Sequence, residues 1–169
     1  MRIHIDQEKV KDYMIGLKDM MQKEDIKAPV DINKSVPEML QALAMRPDIA
    51  KAMMPLQRTL YFNGRIERAL KEKIFVRVSQ LNKCQFCTAT HTKALETLSL
   101  EEEGKDEREK VAIEYSEQVT RNANEVSDEL FERLKKHFDE GEIIELTLSI
   151  GMINLFNKFN DSPQIRFRE

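Results

Sequence analysis

The fold class is decided by residues 66–81, which read IERALKEKIFVRVSQL. Apolar side chains recur there at Ile66, Leu70, Ile74 and Val78, a spacing that places them on one face of an α-helix. The apolar centre of this stretch, residues 74–76, has the composition of a strand, but the stripe continues on both sides of it and favours a helix. The stretch therefore predicts a long helix and indicates an all-α fold.

Periodicity and capping residues predict helices along the rest of the chain as well. Glycine and proline number five each, which favours long helices over many short strands joined by turns. The predicted helices are Gln7–Lys23, Val36–Met45, Pro47 to about Tyr61, a helix capped by Asn82 that ends near Leu98, Lys105–Arg121, a helix capped by Ser127 that ends at His137, and a helix opened by Asp139 and Glu142 that ends near Phe159. The sequence also predicts a break at Ala28-Pro29 and a capping box at residues 99–102. No repeat or linker divides the chain, so we expect a single all-helical domain over residues 1–169.

Composition excludes several classes of protein. Of the 169 residues, 41% are hydrophobic and 34% are charged, which is typical of a globular domain with a core. The net charge of -3 comes from interspersed charges, and no basic stripe indicates a nucleic-acid partner. The N-terminus lacks the apolar core of a signal peptide, and the most apolar stretch, Ile143–Phe156, is too short to span a bilayer and contains Glu145. We therefore expect a cytoplasmic protein with no membrane partner.

The candidate chemistry lies in the stretch CQFCTATH, residues 84–91. On a helix, Cys84, Cys87 and His91 fall on the same side, with His91 one turn after Cys87. The start of a helix favours a thiolate over a thiol, and a histidine one turn away can accept or deliver a proton. These residues are suited to reversible dithiol–disulfide chemistry.

Two other interpretations of these residues remain open. A structural zinc site usually needs four ligands, whereas the only other histidines are His4 and His137 and no second cysteine pair exists. This shortage favours redox chemistry over zinc. His91 is by itself compatible with an ordinary helix-face histidine, and its position beside Cys87 is what favours a functional role.

Glu72 is a further candidate site residue. Counting from Ile66, it lies opposite the main stripe, beside Phe75, Val76 and Ser79, so the helix is expected to pack on two sides. Periodicity alone favours an exposed ion pair of Glu72 with Arg68, one turn before it.

The combination of Glu72, eleven intervening residues and Cys84-x-x-Cys87-x-x-x-His91 resembles the core signature of the alkylhydroperoxidase D-like branch of the carboxymuconolactone decarboxylase family. The residues leading to the cysteines, 70–74 and 76–82, and the tail at 142–147, 150–151 and 154–160 are similar to the same branch. The resemblance covers about residues 37–161. In some well-known members a histidine precedes the second cysteine, whereas here the residue is Phe86, so a proton-transfer role at that position is absent.

The resemblance implies an all-helical, alkylhydroperoxidase D-like bundle that forms homo-oligomers, often trimers or hexamers. It implies peroxide reduction by the Cys84/Cys87 pair with Glu72 and His91 as a proton relay, and it implies no metal or flavin cofactor. The implied partners are a hydroperoxide substrate and a dithiol electron donor, for example a dihydrolipoamide-bearing protein. The resemblance also favours Cys87 as the attacking thiol, although the first cysteine is usually the nucleophile in thioredoxin-like pairs.

The sequence thus predicts a thiol-dependent peroxidase or disulfide oxidoreductase. One alternative is the lactone decarboxylation after which the family is named, a reaction in which neither thiol would have a catalytic role. The other is a zinc-stabilised module without enzymatic activity. The last helix is apolar over much of its circumference, so we expect it to be buried in the core or in an oligomer interface.

Overall fold

The stretch that decides the fold class is a helix, as predicted. The computed structural model describes residues 1–23, 36–97 and 106–167, and every regular element in these ranges is helical, with no strand. The helices are α1 Gln7–Lys23, α2 Glu38–Leu43, α3 Pro47–Gln57, α4 Arg68–Leu81, α5 Gln85–Thr97, α6 Glu107–Asn122, α7 Asp128–Lys135 and α8 Glu140–Asp161. A π-helical turn, Arg58–Phe62, continues α3, and a short 3₁₀ turn, Ala123–Glu125, follows α6. The all-α prediction is confirmed for the described part of the chain.

Helix α4 is the centre of the structure and packs against α5, α6 and α8. Ile74 and Val78, from the predicted stripe, are fully buried. Phe75 and Ser79 on the opposite side are buried too, so α4 packs on two sides as predicted. A helix enclosed in this way can hold a polar side chain away from water, and this places Glu72 in the interior.

Local capping explains why several helices begin where they do. Ser127 Oγ accepts the Leu130 N–H at 3.2 Å at the start of α7. Asp139 and Glu142 open α8 as predicted, and they do so as a capping box, in which each side chain accepts the other residue's backbone N–H at 2.9 Å. Asp139 also pairs with Arg65. These predicted helix starts are confirmed because their signals are local in sequence.

The predicted role of Asn82 as a helix N-cap is wrong. Asn82 ends α4 with helical backbone angles, and its side chain points across the bundle, where Nδ2 donates to Asn154 Oδ1 at 2.8 Å and to Asn157 Oδ1 at 2.7 Å. Lys83 follows in the left-handed region, with φ 59°, and makes the tight turn into α5. Cys84 therefore takes the position before α5, where its carbonyl accepts the Thr88 N–H at 3.0 Å.

Helix α8 is only partly covered by the rest of the chain. Its inner face is buried at Leu146, Ile150 and Ile153, whereas Ile144 is 61% exposed and Leu148 is 50% exposed. No described helix combines the length and the apolar composition that crossing a bilayer requires. The predicted break at 28–29, the capping box at 99–102 and the helix end near residue 98 lie outside the described residues.

Candidate active site

The two thiols lie at the start of α5, against α4 and α8. Cys84 immediately precedes the helix and Cys87 belongs to its first turn, and both are free thiols in the buried interior. The unpaired N–H groups of a first helical turn favour negative charge on a side chain there. The structure therefore brings the predicted cysteine pair together at a helix start.

The surroundings of Cys87 favour its thiolate. The largest effect is a hydrogen bond from Cys84, which lowers the pKa of Cys87. Burial acts in the opposite direction, but hydrogen bonds from Asn160 and Asn157 and the charge of His91 lower the pKa further. Asn160 Nδ2 donates to Cys87 Sγ at 3.1 Å. The same hydrogen bond with Cys87, together with burial, raises the pKa of Cys84. Cys87 is thus the more acidic thiol of the pair.

Glu72 is fully buried, with 0% of its surface exposed, and its two carboxylate oxygens have different partners. Oε2 lies 2.7 Å from His91 Nδ1, while Oε1 accepts hydrogen bonds from Arg68 Nε at 3.2 Å and from the Tyr61 hydroxyl. Burial opposes ionisation of this carboxyl, but the hydrogen bond and charge of His91, with Tyr61 and Arg68, outweigh it and lower the pKa of Glu72. The predicted Arg68–Glu72 pair forms, but the expectation that it is exposed is wrong, because Glu72 lies on the inner side of α4.

Tyr61 is a site residue that the sequence did not reveal. Its hydroxyl donates to Glu72 Oε1 and accepts from Arg68 Nη2 at 3.1 Å, and its ring stacks on Phe75 with centroids 5.8 Å apart. Burial, together with the charge of Glu72 and its hydrogen bond, raises the pKa of Tyr61, so the phenol keeps its proton. Tyr61 and His91 thus each bind one of the two carboxylate oxygens of Glu72.

The π-helical turn that carries Tyr61 is fixed by a buried ion pair. Lys71 Nζ, fully buried on α4, donates to the Leu60 carbonyl at 2.5 Å and pairs with Glu145 Oε1 at 2.7 Å. Glu145 in turn accepts the backbone N–H of Arg65 at 2.7 Å and of Ile66 at 3.1 Å. The sequence pattern predicted a regular helix to about Tyr61, and Pro55 inside α3 removes only a hydrogen bond that precedes the turn.

Cys87 and His91 lie in the wall of a large cavity of about 1540 Å³. Much of the remaining wall is apolar and rich in methionine, with Met20, Met21, Met39, Met53 and Met54 among its residues. Cys84 contributes instead to a separate cavity of about 570 Å³, whose wall includes the exposed side chains Lys83, Gln85 and Lys93. The two sulfurs therefore belong to cavities of different character.

Chemically, the cluster offers a dithiol, an imidazole and a buried carboxylate. Within residues 1–23, 36–97 and 106–167, no group of three or more His, Cys, Asp or Glu side chains is arranged to hold a metal ion. Sequence reasoning missed Asn160 as well as Tyr61. Both are far from the cysteines along the chain, so only packing brings them to the site.

Comparison with known proteins identifies the fold type and the family of this chain. The uncharacterized protein YdfG of Bacillus subtilis strain 168 is 32% identical over 127 residues, which make up 68% of this chain and 86% of YdfG. A protein of unknown function from Agrobacterium tumefaciens, described as a candidate antioxidant defence protein AhpD, is 26% identical, has a TM-score of 0.68, and is matched over 85% of this chain and 99% of its own.

A further solved structure has the same fold at lower identity. The alkylhydroperoxidase AhpD core of Ralstonia eutropha JMP134, an uncharacterized peroxidase-related protein, has a TM-score of 0.75 and 19% identity over 99% of this chain and 92% of its own. The all-helical fold is thus alkylhydroperoxidase D-like. The sequence pattern of the carboxymuconolactone decarboxylase family matches residues 47–126, which include Glu72 and the cysteine pair. With this match and the extent of the YdfG alignment, the chain belongs to the carboxymuconolactone decarboxylase family.

Proposed function

We propose that this protein is a thiol-dependent peroxidase that reduces hydroperoxides through the Cys84/Cys87 pair. One observation carries the proposal: a fully buried Glu72 binds His91, and His91 lies one turn after a cysteine whose thiolate is favoured. An imidazole that a carboxylate holds in one orientation can transfer protons at a neighbouring reacting thiol. The antioxidant description of the Agrobacterium relative agrees with this function.

In the first step, the Cys87 thiolate attacks the terminal oxygen of the hydroperoxide. The O–O bond breaks, the sulfur becomes a sulfenic acid, and the alkoxide leaves. His91 delivers a proton to the alkoxide, and Glu72 stabilises and orients the imidazole during this transfer. The thiol loses two electrons and the peroxide is reduced to an alcohol.

In the second step, Cys84 condenses with the sulfenic acid. An S–S bond forms between Cys84 and Cys87, and the sulfenic oxygen leaves as water with the proton of the Cys84 thiol. A dithiol donor then reduces the disulfide by thiol–disulfide exchange, for example a dihydrolipoamide-bearing protein. Attack on the Cys84 sulfur expels Cys87, the better leaving group of the two because its thiolate is favoured. No other cofactor enters this cycle.

The shape and lining of the larger cavity favour an organic hydroperoxide over hydrogen peroxide. Cys87 lies in the wall of a space of about 1540 Å³ that is lined by flexible, apolar methionine side chains. Such a surface gains little from hydrogen peroxide, which has no apolar part to bury, and more from an alkyl or aryl group. We therefore propose a bulky, apolar hydroperoxide as the substrate class.

The test is a turnover assay with purified protein, cumene hydroperoxide or hydrogen peroxide as oxidant, and dihydrolipoamide or dithiothreitol as donor. We expect faster turnover with cumene hydroperoxide, and a disulfide between Cys84 and Cys87 when the donor is omitted. Carboxymuconolactone turnover that persists in a Cys84→Ser, Cys87→Ser double variant would favour the decarboxylase instead. Zinc bound at about one equivalent per chain and resistant to chelator would favour the zinc-stabilised module.

We also propose that the protein forms a homo-oligomer, such as a trimer or a hexamer. The support is the outer face of α8, where Ile144, Leu148 and Leu155 are all at least half exposed. Gly151 lies on the same helix with open space around it. An exposed apolar helix face with room for close approach fits contact with another subunit.

A further inference from the structure

Asn160 is buried against the cysteine that we place at the centre of the reaction. It lies in the last turn of α8, has 0% of its surface exposed, and lines the larger cavity together with Cys87 and His91. Its position is held by the backbone, because the Ile165 N–H donates to the Asn160 carbonyl at 2.8 Å. The side chain therefore extends towards the reacting sulfur from a fixed backbone position.

The two ends of the Asn160 amide have unequal surroundings. Nδ2 faces two sulfur acceptors, Cys87 Sγ at 3.1 Å and Met39 Sδ at 3.9 Å. Oδ1 is buried and has no hydrogen-bond partner among the described residues. Because both sulfurs accept hydrogen bonds, the N–H end of the amide lies on their side, and the oxygen end is left to accept a hydrogen bond from another group.

The neighbouring asparagine of α8 makes the contrast clear. Asn157 is equally buried, but its Nδ2 donates to Ser79 Oγ at 3.0 Å and its Oδ1 accepts from Asn82 Nδ2 at 2.7 Å. Buried amide oxygens are normally satisfied in this way, so an unpartnered one calls for a specific explanation. The vacant acceptor of Asn160 is next to the one sulfur that we propose reacts with an O–H compound.

We propose that Asn160 is a catalytic residue of this peroxidase: Nδ2 holds the Cys87 sulfur as the thiolate, and Oδ1 accepts the O–H of the hydroperoxide. The inference rests on the proposed function. Met39, which contacts Asn160 and lines the cavity, has the flexible side chain that must shift to admit the substrate. The hydrogen bond to Oδ1 orients the terminal oxygen, which carries the proton, towards Cys87 Sγ.

The hydrogen bond at Oδ1 persists through the chemical step. Cys87 Sγ forms a bond to the terminal oxygen, the O–O bond breaks, and the alkoxide leaves and takes a proton from His91. The transferred oxygen keeps its own hydrogen and becomes the hydroxyl of the sulfenic acid, still next to Oδ1. Asn160 is therefore expected to favour hydroperoxides over thiol reagents that carry no O–H.

The test uses the full chain with Cys84→Ser, so that Cys87 is the only thiol. Second-order rate constants are measured across the titration of Cys87 with cumene hydroperoxide and with methyl methanethiosulfonate, which has no O–H. In Asn160→Ala we expect the pH midpoint to rise with both reagents. At the high-pH plateau the hydroperoxide rate should fall about ten-fold to a hundred-fold, the effect of losing one hydrogen bond to a reacting group, while the methanethiosulfonate rate changes little.

Two further variants complete the test. Asn154→Ala removes an amide of the same helix that contacts Thr120 and Asn82 rather than Cys87, and it should leave both plateau rates unchanged. Asn160→Asp keeps an acceptor but loses the N–H donor, so its midpoint should rise while the ratio of the two plateau rates stays near that of the parent. If Asn160→Ala does not fold, Asn160→Leu, which fills a similar volume without a donor or an acceptor, replaces it with the same expected fall in the hydroperoxide plateau rate. In the variant that lacks the acceptor, equal plateau changes with both reagents, or none, would overturn the role of Asn160. A parent protein that reacts with cumene hydroperoxide no faster than free cysteine would instead overturn the proposed peroxidase function.

Discussion

His91 Nδ1 lies 2.7 Å from Glu72 Oε2, although nineteen positions separate the two residues along the chain. A carboxylate that engages one ring nitrogen fixes the orientation and the tautomer of the imidazole. Nε2 is then the nitrogen that can exchange a proton with a molecule in the cavity that His91 lines. The pair explains how a buried carboxylate can assist a reaction at a thiol that it does not need to touch.

Replacing Glu72 by Gln tests this pair directly. Gln retains the size and one hydrogen-bond acceptor, but it cannot stabilise an imidazolium, so we expect about a hundred-fold slower peroxide turnover with little change in helical content. The measurements are steady-state turnover and circular dichroism. Glu129→Gln, at an exposed residue of α7 that lines neither cavity, is the matched control. Full activity in Glu72→Gln would mean that the carboxylate serves structure alone.

Trapping of sulfenic acid distinguishes the roles of the two cysteines. The pKa of Cys87 is lowered and that of Cys84 is raised, so a stoichiometric hydroperoxide should oxidise Cys87 in the Cys84→Ser variant. Little sulfenic acid is expected on Cys84 in the Cys87→Ser variant. Mass spectrometry after reaction with a sulfenic-acid probe measures both. The reverse pattern would exchange the attacking and resolving roles.

The pH dependence of Cys87 should reveal its hydrogen bond from Cys84. The thiolate is the reactive form, so the alkylation rate rises with pH and levels off above the pKa, at a lower pH than for free cysteine. Ser at position 84 can still donate a hydrogen bond and Ala cannot. The midpoint should therefore be higher in Cys84→Ala than in Cys84→Ser, as followed by the ultraviolet absorbance of the thiolate. Equal midpoints would assign the shift to Asn160, Asn157 and His91 alone.

Removing the Tyr61 hydroxyl should weaken the hold on Glu72. Tyr61→Phe deletes a donor to Glu72 and an acceptor for Arg68, and an incompletely satisfied buried group costs about 1–3 kcal/mol. We expect a loss of unfolding free energy in this range together with slower turnover. Denaturant titration and the peroxidase assay are the measurements. Tyr115→Phe, which removes a hydroxyl that contacts Thr147 and does not line the larger cavity, is the control for turnover. Unchanged stability and unchanged activity would both argue against a role for this hydroxyl.

A charge on the outer face of α8 should disrupt subunit contacts. Leu148 is 50% exposed there, so Leu148→Glu would place a carboxylate in the proposed interface with little loss of folding stability in the single chain. Sedimentation at micromolar concentration should show an oligomer for the natural chain and a smaller species for the variant. Ile15→Glu, at an exposed apolar residue of α1, should leave the assembly intact. A natural chain that sediments as a monomer would remove the oligomer from the proposal.

The parts of the fold that the sequence predicted are those with local signals. Helix α1 has the predicted bounds, and the capping residues of α7 and α8 lie within three positions of the N–H groups that they accept. Asn82 had an equally good local signal, but the interaction that prevails joins it to Asn154 and Asn157, 72 and 75 positions away. Local propensity is decisive only where no stronger distant partner competes for the same side chain.

The candidate site follows the same rule. Cys87 and His91 lie on α5 and Cys84 immediately precedes it, so their proximity could be predicted from helical spacing. The burial of Glu72 could not, because it depends on α5 and on the turn that carries Tyr61 covering that side of α4. Asn160 reaches Cys87 across 73 positions, and no periodic pattern indicates such a contact.

The π-helical turn at Arg58–Phe62 makes the chain length next to the site unusually adjustable. A π-helical turn contains one residue more than an α-helical turn, so it resembles an insertion accepted into a helix. A deletion in a regular α-helix turns all the following side chains by about 100° around the axis. Deleting one residue between Pro55 and Leu60 would instead let the helix close its regular hydrogen bonds, while the side chains after it keep nearly their present direction. A one-residue deletion should therefore be tolerated better in this segment than in α4 or α5.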